Sequence, residues 1–214
     1  NGFITRTTNA GIEWIRQSSG TSSYIKSIHF VDLNNGWAAG EAGTILKTIN
    51  GGDNWYQVNC GVTVTLNNIR FIDSIRGWVF GYNGTILVTN DGGYSWNSQF
   101  SGTNYPLFSC DFINADLGWA VGANIEDPLE NPIIVKTTNG GNSWITQFAG
   151  SSGILYSVDF IDANIGWAAG DLNESRDGTL ILKTTDGGNN WHVQFYNISS
   201  DNFKEVSKTR ELNS

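Results

Sequence analysis

Methionine is absent from this sequence, and histidine and cysteine are nearly so, with two of each in 214 residues. Two histidines are too few for most metal enzymes. No zinc-ligand spacing, Ser-His-Asp pattern or phosphate-binding loop is present either. Basic residues are scarce: 12 Lys and Arg stand against 20 Asp and Glu, a net charge of -8. That balance argues against non-specific nucleic-acid binding and is read as solubility or affinity for cationic partners. No apolar run is long enough to span a membrane, so no membrane insertion is expected, and no signal peptide is visible. With no initiating methionine, the chain reads as a processed product or a piece of a longer protein.

What the sequence does have is a period. Thr-x-[Asn/Asp]-[Gly/Ala]-Gly-x-x-Trp occurs five times, at Thr7–Trp14, Thr48–Trp55, Thr89–Trp96, Thr137–Trp144 and Thr184–Trp191. Its tryptophans are spaced 41, 41, 48 and 47 residues apart, a period typical of propellers and solenoids. The Asx residues Asn9, Asn50, Asp91, Asn139 and Asp186 are expected to accept backbone N–H groups two residues on and so close a turn. The second glycine tolerates positive φ. Trp14, Trp55, Trp96, Trp144 and Trp191 bury apolar surface and tie the turn to its sheet. All parts of the motif are occupied in holding a turn, so it is not read as catalytic.

Around the motif lies a four-strand unit. An apolar strand comes first: Ile25–Val31, Leu66–Ile72, Leu107–Ile113 and Leu155–Ile161. A polar turn ends in Gly36-Trp37, Gly77-Trp78, Gly118-Trp119 and Gly166-Trp167. A small-residue strand follows, then a third strand into the Trp turn, and a fourth leaves it. Four short strands per repeat of some forty residues predict an all-β propeller of four-stranded blades. Four repeats are complete, and residues 1–20 hold half of a split or partial fifth. The propeller is placed at 1–195. Residues 196–214 are read either as a closing strand around Phe203–Val206 or as disordered. Cys60 and Cys110 occupy different repeat positions, which leaves both a bridge and two free thiols open.

These motifs resemble the Asp-box, or bacterial-neuraminidase, repeat. The Phe-[Ile/Val]-[Asp/Asn]-x3-Gly-Trp element, with Gly-Thr-Ile-Leu-Lys-Thr before the box, is similar to the photosystem II stability and assembly factor-like branch. The resemblance implies a non-enzymatic binding or assembly role, and a secreted or cell-envelope location (periplasmic or extracellular). It covers residues 3 to about 195, but its shared residues are scaffold.

Departures from the repeat point to a site. The loop between second and third strands is short in the first two units, Gly40–Gly43 and Gly81–Gly84, and long in the next two, at 122–132 and 170–178. Insertions on one face of a repeat protein often mark its binding face. The expected rim carries Tyr82, Tyr105, Glu126, Asp127, Glu130, Tyr156, Asp171, Glu174, Arg176 and Asp177, with Tyr24 nearby. It reads as a docking surface for a protein partner, basic or part of a larger assembly. No cofactor is expected, apart from a weak Ca²⁺ site on these carboxylates. His29, Arg70, Asp111 and Asp159 precede the first-strand Phe in successive units. They are expected along a central channel, as ion pairs between repeats or ligands of channel water.

Two alternatives use the same rim. A sialidase-like glycoside hydrolase would need an arginine cluster, yet of Arg6, Arg16, Arg70, Arg76, Arg176 and Arg210 only Arg176 falls in an enlarged loop. A carbohydrate-binding propeller would repeat identical pockets, whereas these loops differ.

Overall fold

The computed structural model describes residues 2–126, 131–147, 152–172 and 178–197, with side chains as far as Gln194. Among these residues the chain is all-β, without a helix. A two-stranded sheet comes first, β1 (Ile4–Arg6) and β2 (Ile15–Gln17). Four antiparallel four-stranded sheets follow, each with its strands in sequence order. The first is β3 (Ile25–Phe30), β4 (Gly36–Gly40), β5 (Ile45–Thr48) and β6 (Tyr56–Val58). The second is β7 (Leu66–Phe71), β8 (Gly77–Gly81), β9 (Ile86–Thr89) and β10 (Asn97–Gln99). The third is β11 (Leu107–Phe112), β12 (Gly118–Asn124), β13 (Asn131–Thr137) and β14 (Ile145–Gln147). The fourth is β15 (Ile154–Phe160), β16 (Gly166–Asp171), β17 (Thr179–Thr184) and β18 (His192–Asn197). This is the β-propeller class that the period predicts. The contacts divide the chain into two compact units, Asn1–Gln99 and Phe100–Ser214. The expected tail strand at 203–206 lies outside the described residues.

Every Trp turn is held by the same four bonds. At Thr48–Trp55, the Thr48 hydroxyl donates to Asn50 Oδ1 at 2.9 Å and accepts the N–H groups of Asn50 and Gly52 at 3.3 and 2.9 Å. Asn50 Oδ1 then accepts the Asn54 N–H at 3.0 Å. The pattern recurs at Thr7 with Asn9, Thr89 with Asp91, Thr137 with Asn139 and Thr184 with Asp186. In all five turns the Asx residue therefore reaches four residues on, where two were expected, because the threonine hydroxyl occupies the nearer N–H groups. Both central positions have positive φ, 68° and 92° at Gly51 and Gly52. Ala10 holds the first of them at 56° in the first turn, where a Cβ is strained.

A second Asx turn recurs after each first strand. Asp32 Oδ1 accepts the Asn34 and Asn35 N–H groups, both at 2.7 Å. Asp73, Asn114 and Asp162 do the same in later sheets. It delivers the chain into Gly-Trp.

Neighbouring sheets are clamped through the first-strand phenylalanine. In the first unit the Trp37 ring stacks on Phe71 at 3.6 Å and 7°. Its Nε1–H donates to the Gly92 carbonyl at 2.9 Å. Trp96 meets the same Phe71 edge-on at 5.8 Å and 89°. In the second unit Trp119 stacks on Phe160 at 3.5 Å and donates to the Gly187 carbonyl at 3.1 Å, with Trp191 edge-on at 5.8 Å. Thus each phenylalanine takes one tryptophan from the preceding sheet and one from its own. The glycine before the tryptophan is obligatory: a Cβ at Gly77 would lie 2.6 Å from the Phe71 ring, and one at Gly166 2.5 Å from Phe160. Trp37, Trp119, Phe71 and Phe160 are all essentially buried. Each aromatic removes about 150–250 Å² from water, worth several kcal/mol as an upper bound.

Trp37→Ala is expected to cost about 3–5 kcal/mol by cavity formation and loss of the stack. Trp14→Ala, at a position 60% exposed, is expected to cost under about 1 kcal/mol. Urea unfolding of the two variants checks the contrast. The turn carboxylates set an acid limb. A side-chain hydrogen bond from Ser95, followed by further bonds within the turn, holds Asp91 far below the usual carboxylate range. One from Asn190 lowers Asp186. A depressed folded-state pKa gives stability that is full above the unfolded value near 4 and is lost as pH falls through the folded value. Asn serves the same position at Asn50 and Asn139. Asp91→Asn with Asp186→Asn is therefore expected to unfold like wild type at pH 7, and to lose less stability than wild type between about pH 4 and 2.

Candidate functional site

The site is built at the sheet ends opposite the Trp turns. In the first two sheets a two-residue turn joins second and third strands. Ala42 and Gly43 have φ of 54° and 65°, and Asn83 and Gly84 of 56° and 63°, the mirror-image geometry that tight hairpins prefer. In the third and fourth sheets the strands continue instead. Ala123 pairs with Pro132 and Asn124 with Asn131. Gly170 pairs with Leu180 and Asp171 with Thr179, and the Leu172 N–H donates to the Gly178 carbonyl at 3.0 Å. The described ends of the expected loops at 122–132 and 170–178 are therefore strand, because each added pair satisfies backbone groups that a loop would leave to water. Asp171, expected in a loop, is the last residue of β16.

Glu126 is exposed, with its N–H on Asn124 Oδ1 at 3.1 Å. Asp127, Glu130, Glu174, Arg176 and Asp177 lie outside the described residues. Among the described residues no group of three His, Cys, Asp or Glu side chains is arranged to hold a metal ion.

A feature missed in the sequence re-aims one residue in every first strand. Register shifts recur between Ile25 and Ser27, Leu66 and Asn68, Leu107 and Ser109, and Leu155 and Ser157. The bulged residues are Lys26, Asn67, Phe108 and Tyr156, aimed away from the regular alternation. In the second unit, Phe108 and Tyr156 meet with ring centres 5.5 Å apart. Aromatics at a position that is Lys26 or Asn67 in the earlier repeats were the available signal. Tyr105, half-buried, stands in the segment before β11 with its N–H on Thr103 Oγ1 at 3.1 Å. Beside it a cleft of about 410 Å³ is lined by Phe100, Thr103, Asn104, Tyr105, Ile133 and Thr146. Phe100 is 85% exposed and was not singled out from the sequence. In the first unit Tyr24 and Tyr82 are exposed at the same end of their sheets, their backbones bonded to Glu41 and Thr65 at 2.9 Å.

Two of the four residues expected along a channel, Asp111 and His29, interact with the backbone of the neighbouring first strand. Asp111 is buried, and its Oδ2 accepts the Phe160 N–H at 2.9 Å. His29 is half-buried; burial and then the Arg70 charge lower its pKa, against a hydrogen bond with the Phe71 backbone. Arg70 and Asp159 are half-buried at the same repeat position.

Both cysteines are free and buried. Cys60 occupies the repeat position of Ser19 and Ser101. Its Sγ–H points to the Gly43 carbonyl at 3.1 Å, as the Ser19 hydroxyl does to the Gly2 carbonyl, and all three side chains also point to the carbonyl two residues on, of Val62, Thr21 and Thr103. Cys60 is thus a serine equivalent in a loop clamp. Cys60→Ser is expected to shift stability by less than about 1 kcal/mol. An aromatic disulfide reagent is expected to leave both thiols untouched in native protein and to titrate both after unfolding.

With this geometry in place, the likeness to known proteins is specific about fold. A family model described as photosynthesis system II assembly factor YCF48 matches residues 52–152. A structure of YCF48 bound to D1 peptide is similar at 18% identity and TM-score 0.62, over 90% of this chain and 56% of that one. YCF48 from Cyanidioschyzon merolae gives 16% identity and TM-score 0.64, over 90% and 66%. The GH74 enzyme of Niastella koreensis gives 14% and TM-score 0.74, over 90% and 34%. The chain thus spans only part of each of these proteins, between about a third and two thirds of their lengths. No curated protein matches the sequence. The chain is a BNR-repeat β-propeller resembling the photosystem II assembly factor family.

Proposed function

We propose that the chain is a non-enzymatic recognition propeller that holds a protein partner at the hairpins of its third and fourth sheets, in the cell envelope or outside the cell. One observation carries the reading. The sheets that lengthen their hairpins also place aromatics, Phe108 and Tyr156, at the bulge, and the two rings meet. The other two sheets have a tight turn and a polar residue at those positions. Lengthened hairpins beside rigid aromatics supply polar contacts and apolar anchors, as protein interfaces do. The excess of acidic residues favours a basic partner surface. Ca²⁺ at the acidic tips is the one ion this reading admits. The solved YCF48 with a D1 peptide supports peptide recognition on this fold.

A second reading has its own observation. The cleft beside Phe100 pairs an exposed aromatic with Thr103, Asn104 and Thr146, a combination suited to a sugar. The described residues that line it include no carboxylate, so they do not themselves supply the acid and base pair of a glycosidase.

Affinity capture from source-cell envelope and medium tests the proposal, with intact chain as one bait. The second bait has 125–130 and 173–177 replaced by short Gly-Asn linkers. A partner retained by the first and reduced at least about tenfold on the second, a change of about 1.4 kcal/mol, is expected. Equal capture contradicts the rim assignment. Turnover of a fluorogenic glycoside panel contradicts the non-enzymatic role.

A further inference from the structure

The third repeat departs from the first two at three positions that the fold brings to one place. Phe100 stands four residues past Trp96, where Ser18 and Asn59 stand past Trp14 and Trp55. Tyr105 stands two residues before its first strand, where Ser23 and Val64 stand before theirs. Ile133 stands four residues before the threonine of its Trp turn, where Thr44 and Thr85 stand. All three line the cleft of about 410 Å³ beside the third sheet, together with Thr103, Asn104 and Thr146. None of the three belongs to the aromatic clamp, and Phe100, at 85% exposed, buries little within the chain. Apolar side chains that converge on one concave site without a structural use mark a binding groove.

The groove is built before any ligand arrives. Ser101 Oγ donates to the Thr103 carbonyl at 2.9 Å and accepts the Thr103 N–H at 3.3 Å. Thr103 Oγ1 in turn accepts the Tyr105 N–H at 3.1 Å. These bonds hold the segment that carries Tyr105 and occupy its backbone groups. Such preorganisation lowers the cost of binding. Three lining groups are left for a ligand: the Asn104 amide, the Tyr105 phenol and the Thr146 hydroxyl. None of them is hydrogen-bonded among the described residues, and each can donate. The described residues that line the groove carry no charge.

This lining asks for an uncharged ligand with apolar rings, free carbonyl oxygens and few N–H groups. We infer that the groove receives a proline-containing segment of the protein partner in the polyproline II conformation. Such a segment exposes every carbonyl, and its prolines have no N–H to satisfy. Its rings pack between aromatic side chains while a few donors take its carbonyls. Phe100, Tyr105 and Ile133 supply the packing surface, and Asn104, Tyr105 and Thr146 supply the donors. A sugar fits this lining less well. Hydroxyls surround its ring, and those turned to Phe100 and Ile133 would lose water without gaining a bond. The inference rests on the protein-partner reading, and Ile133, on β13, joins the groove to the hairpin of the third sheet.

The test uses the intact chain and fluorescein-labelled decaproline, with a labelled Gly-Ser decapeptide as control, read by fluorescence anisotropy. Saturable binding of decaproline alone is expected. The double variant Phe100→Asn with Ile133→Thr gives the groove the residues of the second repeat, so the fold already accommodates both, and an unchanged melting curve checks this. That variant is expected to bind decaproline at least about tenfold more weakly, or about 1.4 kcal/mol. Tyr105→Phe removes one donor and no ring, and is expected to weaken binding by about three- to tenfold. Equal binding by parent and double variant, equal binding of the two peptides, or no saturable decaproline binding overturns the inference. A panel of neutral hexasaccharides that binds the parent and not the double variant, with decaproline inert, would make the groove a sugar site and overturns it equally. Capture from source cells with the double variant as bait separates the inference from the reading beneath it. A partner held by the parent and lost by the variant supports both. A partner held equally by parent and variant overturns the inference and leaves the docking reading standing, whereas no partner on either bait overturns both.

Discussion

The structure depends on one aromatic contact, the indole of a Gly-Trp strand lying flat on the phenylalanine of the next first strand. Trp37 on Phe71 and Trp119 on Phe160 show it at 3.6 and 3.5 Å. The contact joins three sequence features that are far apart in the chain. It needs glycine before the tryptophan, since a Cβ would strike the sheet's own phenylalanine. It needs a carbonyl to receive the indole N–H, and the first glycine of the next Trp turn provides it. It needs that turn held rigidly, which the Thr and Asx side chains do. The eight-residue motif is therefore as much a receptor for the neighbouring sheet as a turn within its own.

Because stability resides in this clamp, the opposite sheet ends carry little of it. The first two sheets close there with minimal turns, whereas the third and fourth extend strands past the position where the repeat would have turned. Variation is tolerated where the clamp is not involved, and that is where binding residues accumulate in repeat proteins.

Much of this was legible in the sequence. The period of the tryptophans fixes the sheet count, and the alternation of Ile69 and Phe71, or Val158 and Phe160, marks the buried face of each first strand. Three features were not legible, each for a physical reason. The bulge at Lys26, Asn67, Phe108 and Tyr156 has no shared residue type, so only the aromatics of the later repeats set the position apart. The reach of Asn50 to the fourth residue depends on Thr48 having taken the nearer N–H groups, a competition that spacing does not display. The serine-like role of Cys60 appears only when it is set beside Ser19 and Ser101 at five residues past each tryptophan. Of the rim, Glu126, Asp171 and the aromatics are described, while Asp127, Glu130, Glu174, Arg176 and Asp177 lie outside the described residues.

The central claim is that a protein partner sits at the hairpin end of the third and fourth sheets. Site-specific photo-crosslinking addresses it most directly, with a benzophenone amino acid at Tyr156 in one protein and at Tyr94 in another. Tyr94 is 69% exposed at a Trp turn, the other end of a sheet. Irradiation in the source cells is predicted to give a discrete protein adduct from position 156 and none from position 94. Adducts from 94 alone, or the same adduct from both, would contradict the account.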